Sequence, residues 1–176
     1  VRATLTVSVD GAPVEVSEGA TLLDACRAAG KDVPTLCYLE TLTPVNACRV
    51  CVVEVEGARV LAPACSRTVE AGMKVQTDSP RVRTARKVVL ELLASSVDLS
   101  TADELTPMLA EYGADPSRFG PTASTVAQPL KDDNDLYVRD YSKCVLCYKC
   151  VEACGTDAQN TFAIAVAGRG FHAHIS

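Results

Sequence analysis

Residues 36–66 read LCYLETLTPVNACRVCVVEVEGARVLAPACS, and four cysteines recur within them as Cys37-x10-Cys48-x2-Cys51-x13-Cys65. From Cys51 to Glu56 and from Arg59 to Ala64 the chain is apolar and rich in β-branched residues. The two runs join across Glu56-Gly57-Ala58, which predicts a hairpin. Residues 39–47, with Pro44 and Asn46, have loop composition. Upstream, Ala3, Leu5, Val7 and Val9 alternate with polar residues, and Asp10-Gly11 marks a tight turn before Val14 and Val16, predicting a first hairpin. Thr21, with Asp24 three residues on, predicts a capped short helix through Ala29 that ends at Gly30. Lys74 to Thr77 supplies a last short strand. Two hairpins packed around one helix describe a β-grasp sheet within an α+β chain.

A second cysteine set, Cys144-x2-Cys147-x2-Cys150-x3-Cys154, leaves Cys26 as the ninth and odd cysteine. An odd count with metal-type spacing argues against a secreted disulfide scaffold and for a reducing, cytoplasmic setting. Four thiolates around a short loop hold iron by sulfur-only ligation. The first set suits a [2Fe–2S] cluster, two thiolates to each iron, with Cys37, Cys48, Cys51 and Cys65 as ligands. In the second set, Cys144, Cys147 and Cys150 have the spacing that grips a [4Fe–4S] cube, although Gly155 stands where proline usually follows Cys154. Four-cysteine zinc is the alternative at both sites, and neither spacing is that of a zinc ribbon. Cys154 either completes the first cube or serves a second one. Cys26, at helical spacing with Leu22, Leu23 and Ala29, reads as a buried apolar residue rather than a ligand.

The chain of 176 residues is 48% apolar and carries a net charge of −5, which argues against a nucleic-acid partner. No run of 18 apolar residues predicts membrane insertion. From Pro80 a helical period sets in, capped by Ser79, with Val82, Ala85, Val89, Leu92 and Leu93 on the inner face. Arg81, Arg83, Arg86, Lys87 and Glu91 fall around the rest, which reads as a solvated face or a partner contact. A further helix is predicted from Ala102 to Tyr112, capped by Thr101 with Glu104 in the capping-box position and closed by Gly113; its stripe of Leu105, Met108, Leu109 and Tyr112 reads as core. Residues 114–135, with three prolines and the run Asp132-Asp133-Asn134-Asp135, read as a linker. Gly168 and Gly170 predict a tight turn, and His172 and His174 read as incidental. The expected domains are 1–78, a β-grasp [2Fe–2S] domain; 79–135, a helical connector and linker; and 136–176, a [4Fe–4S] module.

Residues 3–78 resemble the [2Fe–2S] motif that opens the large iron–sulfur subunit of NADH:quinone oxidoreductase. Similar motifs open [FeFe]-hydrogenases, the diaphorase partners of NAD-reducing hydrogenases, and the alpha subunits of NAD-linked molybdenum or tungsten formate dehydrogenases. The segment YSKCVLCYKCVEACGTDAQNTFAIAVAGRGF is similar to the first half of the two-cluster ferredoxin domain of the formate dehydrogenase and hydrogenase members. The resemblance implies that a second cysteine run follows the glycine turn in a longer natural polypeptide. In most of that family a His-x3-Cys-x2-Cys-x5-Cys motif lies between the two modules, whereas this chain has neither His nor Cys between Cys65 and Cys144. No Gly-x-Gly-x2-Gly fingerprint and no acid–base pair is evident, so no catalytic residue is assigned. The resemblance implies an electron relay between a catalytic molybdenum, tungsten or hydrogenase subunit and a flavin/NAD-binding diaphorase subunit, most closely formate dehydrogenase-like. A free ferredoxin-type carrier and a hydrogenase-associated subunit are the alternatives.

Overall fold

The computed structural model describes residues 3–120, 129–132 and 134–176, and the chain divides into two compact units. The first unit holds residues up to Tyr38 together with Pro44–Val89. In it β1 (Thr4–Val9) pairs antiparallel with β2 (Ala12–Ser17), in register from Thr4↔Ser17 to Val9↔Ala12. Asp10 and Gly11 both take positive φ, 49° and 86°, the mirror-image turn whose twist suits a two-residue hairpin. Alternation sends Val7, Val9 and Val16 into the core.

The helix α1 (Leu22–Ala28) begins with the expected box. The Thr21 hydroxyl accepts the Asp24 N–H at 3.1 Å, and the Asp24 carboxylate accepts the Thr21 N–H at 2.8 Å. It buries Leu22, Leu23, Ala25 and Cys26 against the sheet. The remaining strands are β3 (Val52–Val55), β4 (Ala62–Pro63) and β5 (Lys74–Gln76). The sheet order is β2-β1-β5-β3-β4, with β5 parallel to β1 and antiparallel to β3. This is the β-grasp arrangement expected. The second hairpin is shorter than its sequence suggests, because Arg59 and Val60 do not pair. The Arg59 carbonyl instead accepts from the Arg81 guanidinium at 2.6 Å.

α2 (Pro80–Ser96) starts where expected, the Ser79 hydroxyl accepting the Val82 N–H at 3.3 Å. Its inner face is not the one that apolar periodicity suggests. Arg86 and Glu91, read as solvated, are 2% and 1% exposed, whereas Leu92, read as inner, is 45% exposed. Val82, Arg86 and Leu90 recur every four residues and form one buried line, so a charged residue occupies an apolar stripe.

The second unit comprises Leu39–Thr43 and Leu90–Ser176. Within it the buried Glu91 carboxylate accepts from the Arg118 guanidinium and, at 3.2 Å, from the Asp115 N–H. These bonds tie down the start of the expected linker; residues 121–128 and Asp133 of that linker lie outside the described residues. α3 (Leu105–Glu111) begins three residues later than expected, and Thr101 makes no capping box. The chain reaches it through two turns instead, closed by Ala102 N–H to Leu99 O and Leu105 N–H to Ala102 O. Gly113 ends it at φ 59°, and Leu105 and Tyr112 are buried as expected. α4 (Lys149–Cys154) and the strands β6 (Val166–Ala167) and β7 (His174–Ile175) complete the unit. The Thr43 hydroxyl donates to Asp157 at 3.0 Å, fastening residues 39–43 to the segment after α4.

Three substitutions test these assignments by urea denaturation. Thr21→Ala removes one half of the capping box and is expected to cost about 1 kcal/mol. At Gly168, φ is +72° and a Cβ would lie 2.2 Å from the His172 carbonyl oxygen. Gly168→Ala is therefore expected to destabilise the β6–β7 hairpin more than Gly170→Ala, whose Cβ meets nothing within 4 Å.

Candidate metal centres

Three segments of the first unit bring the first cysteine set together. Cys37 lies on the chain leaving α1, Cys48 and Cys51 on the loop entering β3, and Cys65 just beyond β4. Cys37, Cys51 and Cys65 are buried and Cys48 is half-buried. The sulfurs come in two pairs. Cys51 Sγ and Cys65 Sγ are hydrogen-bonded at 3.4 Å in one, and the Cys37 and Cys48 thiols are hydrogen-bonded in the other.

Backbone amides surround these sulfurs. The N–H groups of Ala47 and Cys48 point at Cys37, that of Val50 at Cys48, and those of Ala64 and Cys65 at Cys51. The loop manages this because Asn46 and Arg49 take left-handed φ values of 58° and 60°, turning successive amides inward. The hydrogen bond from Cys48 is the main reason Cys37 is lowered to about 5, and the bond from Cys65 lowers Cys51 to about 7. Cys48 and Cys65 move up, first through those same bonds and then through burial. Each pair thus titrates as a unit and supplies one thiolate readily; the second proton leaves when metal binds. Cys26, buried on α1, is pushed up to about 11, mainly by desolvation.

Two thiol pairs offer two thiolates to each of two irons, the ligation that a binuclear cluster requires. The donor set fits a [2Fe–2S] cluster.

The second set lies on the loop into α4 and on α4 itself. Asp140 caps the 3-10 turn Tyr141–Lys143 by accepting the Ser142 N–H at 3.0 Å, and Lys143 Nζ donates to Ser100 Oγ at 2.6 Å, which fixes the approach to Cys144. Leu146 and Tyr148 take left-handed φ of 51° and 65°, as Asn46 and Arg49 do in the first loop, and the N–H groups of Cys150 and Val151 bond to the Cys150 sulfur. Cys150 and Cys154 are four apart on α4 and so share a face. The Cys150 thiol is raised by burial and, further, by the charges of Cys147 and Cys144, so the three sulfurs lie within reach of one another's fields. Cys154 Sγ accepts the Ala163 N–H at 3.1 Å. Gly155, in place of proline, donates its N–H to Val151 O at 2.9 Å and closes α4, a bond proline cannot make. His174 Nδ1 lies 2.9 Å from the His172 carbonyl.

Sequence reading missed Arg86, whose Nε donates to Val50 O at 3.1 Å and whose Nη2 donates to Val52 O at 2.8 Å. Its signal was available, since it stands midway between Val82 and Leu90 at helical spacing.

Residues 2–80 match the 2Fe-2S iron-sulfur cluster binding domain, and residues 137–159 match the 4Fe-4S binding domain. Both cluster types thus belong to this chain. It is 39% identical, over 98% of its length, to the NADP-reducing hydrogenase subunit HndD of Solidesulfovibrio fructosivorans. It is 34% identical, over 97%, to the NADH-ubiquinone oxidoreductase 75 kDa subunit of Reclinomonas americana, and 33%, over 84%, to the NADPH-Fe(3+) oxidoreductase subunit alpha of Geobacter sulfurreducens. The chain spans only 31%, 25% and 18% of these relatives. In the crystal structure of an NAD+-reducing [NiFe]-hydrogenase in the H2-reduced state, one chain matches with a TM-score of 0.83 at 25% identity, over 98% of this chain and 74% of that one. No helix among the described residues is long and apolar enough to cross a membrane.

Thiol chemistry of the metal-free chain checks the pairing. Iodoacetamide at pH 7 is expected to modify the Cys37/Cys48 pair well before Cys26, as read by peptide mass spectrometry, because the first pair holds a thiolate below neutral pH while Cys26 keeps its proton until about 11.

Proposed function

For a chain built from a 2Fe-2S and a 4Fe-4S cluster-binding domain, we propose that it is the electron-relay region of an NAD(P)-linked hydrogenase or related oxidoreductase. Cys37, Cys48, Cys51 and Cys65 hold the [2Fe–2S] cluster. Cys144, Cys147 and Cys150 hold a [4Fe–4S] cluster, and Cys154 either completes it or serves a neighbouring one. The observation that carries the reading is the paired, amide-surrounded thiol set of the first unit, which is built to bind a binuclear cluster.

The clusters supply one-electron transfer. The chain supplies thiolates, N–H groups aimed at sulfur, and a buried setting that together tune potential. Partners on this reading are a catalytic hydrogenase or molybdenum/tungsten subunit or domain and a flavin/NAD-binding diaphorase, in the cytoplasm. Similarity to HndD over nearly the whole chain and the fold match to an NAD+-reducing hydrogenase support the hydrogenase branch. The absence of His and Cys between Cys65 and Cys144 supports a branch without the intermediate cluster, where a formate dehydrogenase-like subunit is the second reading.

Each of Cys37→Ser, Cys48→Ser, Cys51→Ser and Cys65→Ser is expected to abolish the [2Fe–2S] EPR signal of the reduced protein, while Cys26→Ala keeps it. A normal signal in the Cys48 or Cys51 variant would refute the ligand set. Copurification of the natural complex, with metal analysis for Fe, Ni, Mo and W, separates the two branches.

A further inference from the structure

α2 carries a permanent positive charge into the wall behind the first thiol set. The Arg86 side chain is 2% exposed, and its guanidinium donates to the carbonyls of Val50 and Val52, the two residues that flank Cys51. A guanidinium does not lose its proton inside a protein, so this charge persists at every working pH. Its line-mates on α2, Val82 and Leu90, are apolar, and burying a charge there carries a desolvation cost that an apolar residue would avoid. The bond to Val50 O also polarises the peptide whose N–H belongs to Cys51.

Resting on the ligand set proposed above, we propose that Arg86 raises the reduction potential of the [2Fe–2S] cluster and positions Cys51. Reduction adds one negative charge to the cluster. A fixed cation nearby, in a wall where solvent screens little, favours the reduced form. The field of Arg86 reaches the buried thiol of Cys26, where it lowers the proton affinity that desolvation and the charge of Asp10 raise more strongly. Arg86 therefore acts as a positioning and potential-setting residue rather than as a ligand.

The test is an EPR-monitored redox titration of the full chain with reconstituted clusters, comparing the native protein with Arg86→Gln, Arg86→Lys and, as a surface control, Arg83→Gln. Arg83 pairs with Asp78 on the exposed face of the same helix. Arg86→Gln is expected to lower the midpoint so that the ratio of reduced to oxidised cluster at fixed potential falls at least tenfold, ~59 mV for a one-electron couple. Arg86→Lys keeps the charge but replaces the two-pronged donor with a single ammonium, and is expected to fall between Gln and the native protein. Arg83→Gln is expected to leave the midpoint unchanged.

The midpoint is read from whatever fraction of chains holds a cluster, so partial loading leaves the test intact. A native midpoint in Arg86→Gln overturns the proposal. If that variant holds no cluster, Arg86→Met, neutral and of similar length, decides: a lowered midpoint supports the proposal and an unchanged one overturns it. Absence of a [2Fe–2S] signal in the native chain would instead defeat the ligand assignment on which it rests.

Discussion

Two pairs of thiols, each sharing a proton, constrain the first unit more than any other interaction. Cys37 with Cys48, and Cys51 with Cys65, bring together the chain leaving α1, the loop entering β3 and the end of β4. Two of these three segments are also joined by the backbone, the Ala64 N–H donating to the Cys51 carbonyl at 3.2 Å, and Val50 between Cys48 and Cys51 is fully buried. A bound cluster cross-links them, and its binding energy is in part folding energy.

The β-grasp sheet exists, in this light, to present that loop. β5 sits centrally, parallel to β1 and antiparallel to β3, so the strand that receives Cys51 is anchored to the core hairpin through one intermediary. α1 covers the sheet with an apolar face that includes Cys26, and desolvation keeps that ninth thiol protonated and apart from the chemistry. Left-handed residues occur in both cysteine loops, Asn46 and Arg49 in one, Leu146 and Tyr148 in the other, and in each loop amide N–H groups bond to sulfur, which stabilises negative charge there. Non-glycine residues accept some backbone strain there.

In the second unit the organising element is again a buried charge. Glu91, near the end of α2, gathers the Asp115 N–H and the Arg118 guanidinium, so a stretch with linker composition is held in place by polar bonds rather than by apolar packing. α2 thus carries one buried charge in each unit, Arg86 in the first and Glu91 in the second. Both carry charged groups into low-dielectric surroundings, Arg86 donating to two backbone carbonyls and Glu91 accepting from a backbone N–H and the Arg118 guanidinium.

The sequence by itself determined the cysteine spacings, the first hairpin, the capped helix α1 and the chemistry those thiols invite. These are local signals: alternation, a turn dipeptide, a capping box, and ligands close enough in the chain to bite one metal cluster. Tertiary structure alone decided which face of α2 turns inward, where α3 begins and how far β4 extends. At α2 and β4 a long-range polar bond outweighs local propensity, and two successive turns delay the start of α3. Arg86 is drawn in by two carbonyls some 34 and 36 residues away, and the Arg59 carbonyl is taken by Arg81 instead of by a strand. Periodicity sorts side chains by hydrophobicity and is blind to a charge whose hydrogen-bond partners lie on another segment. The pairing of the four sulfurs had the same origin, since spacing supplies ligands but only the sheet sets which sulfur meets which.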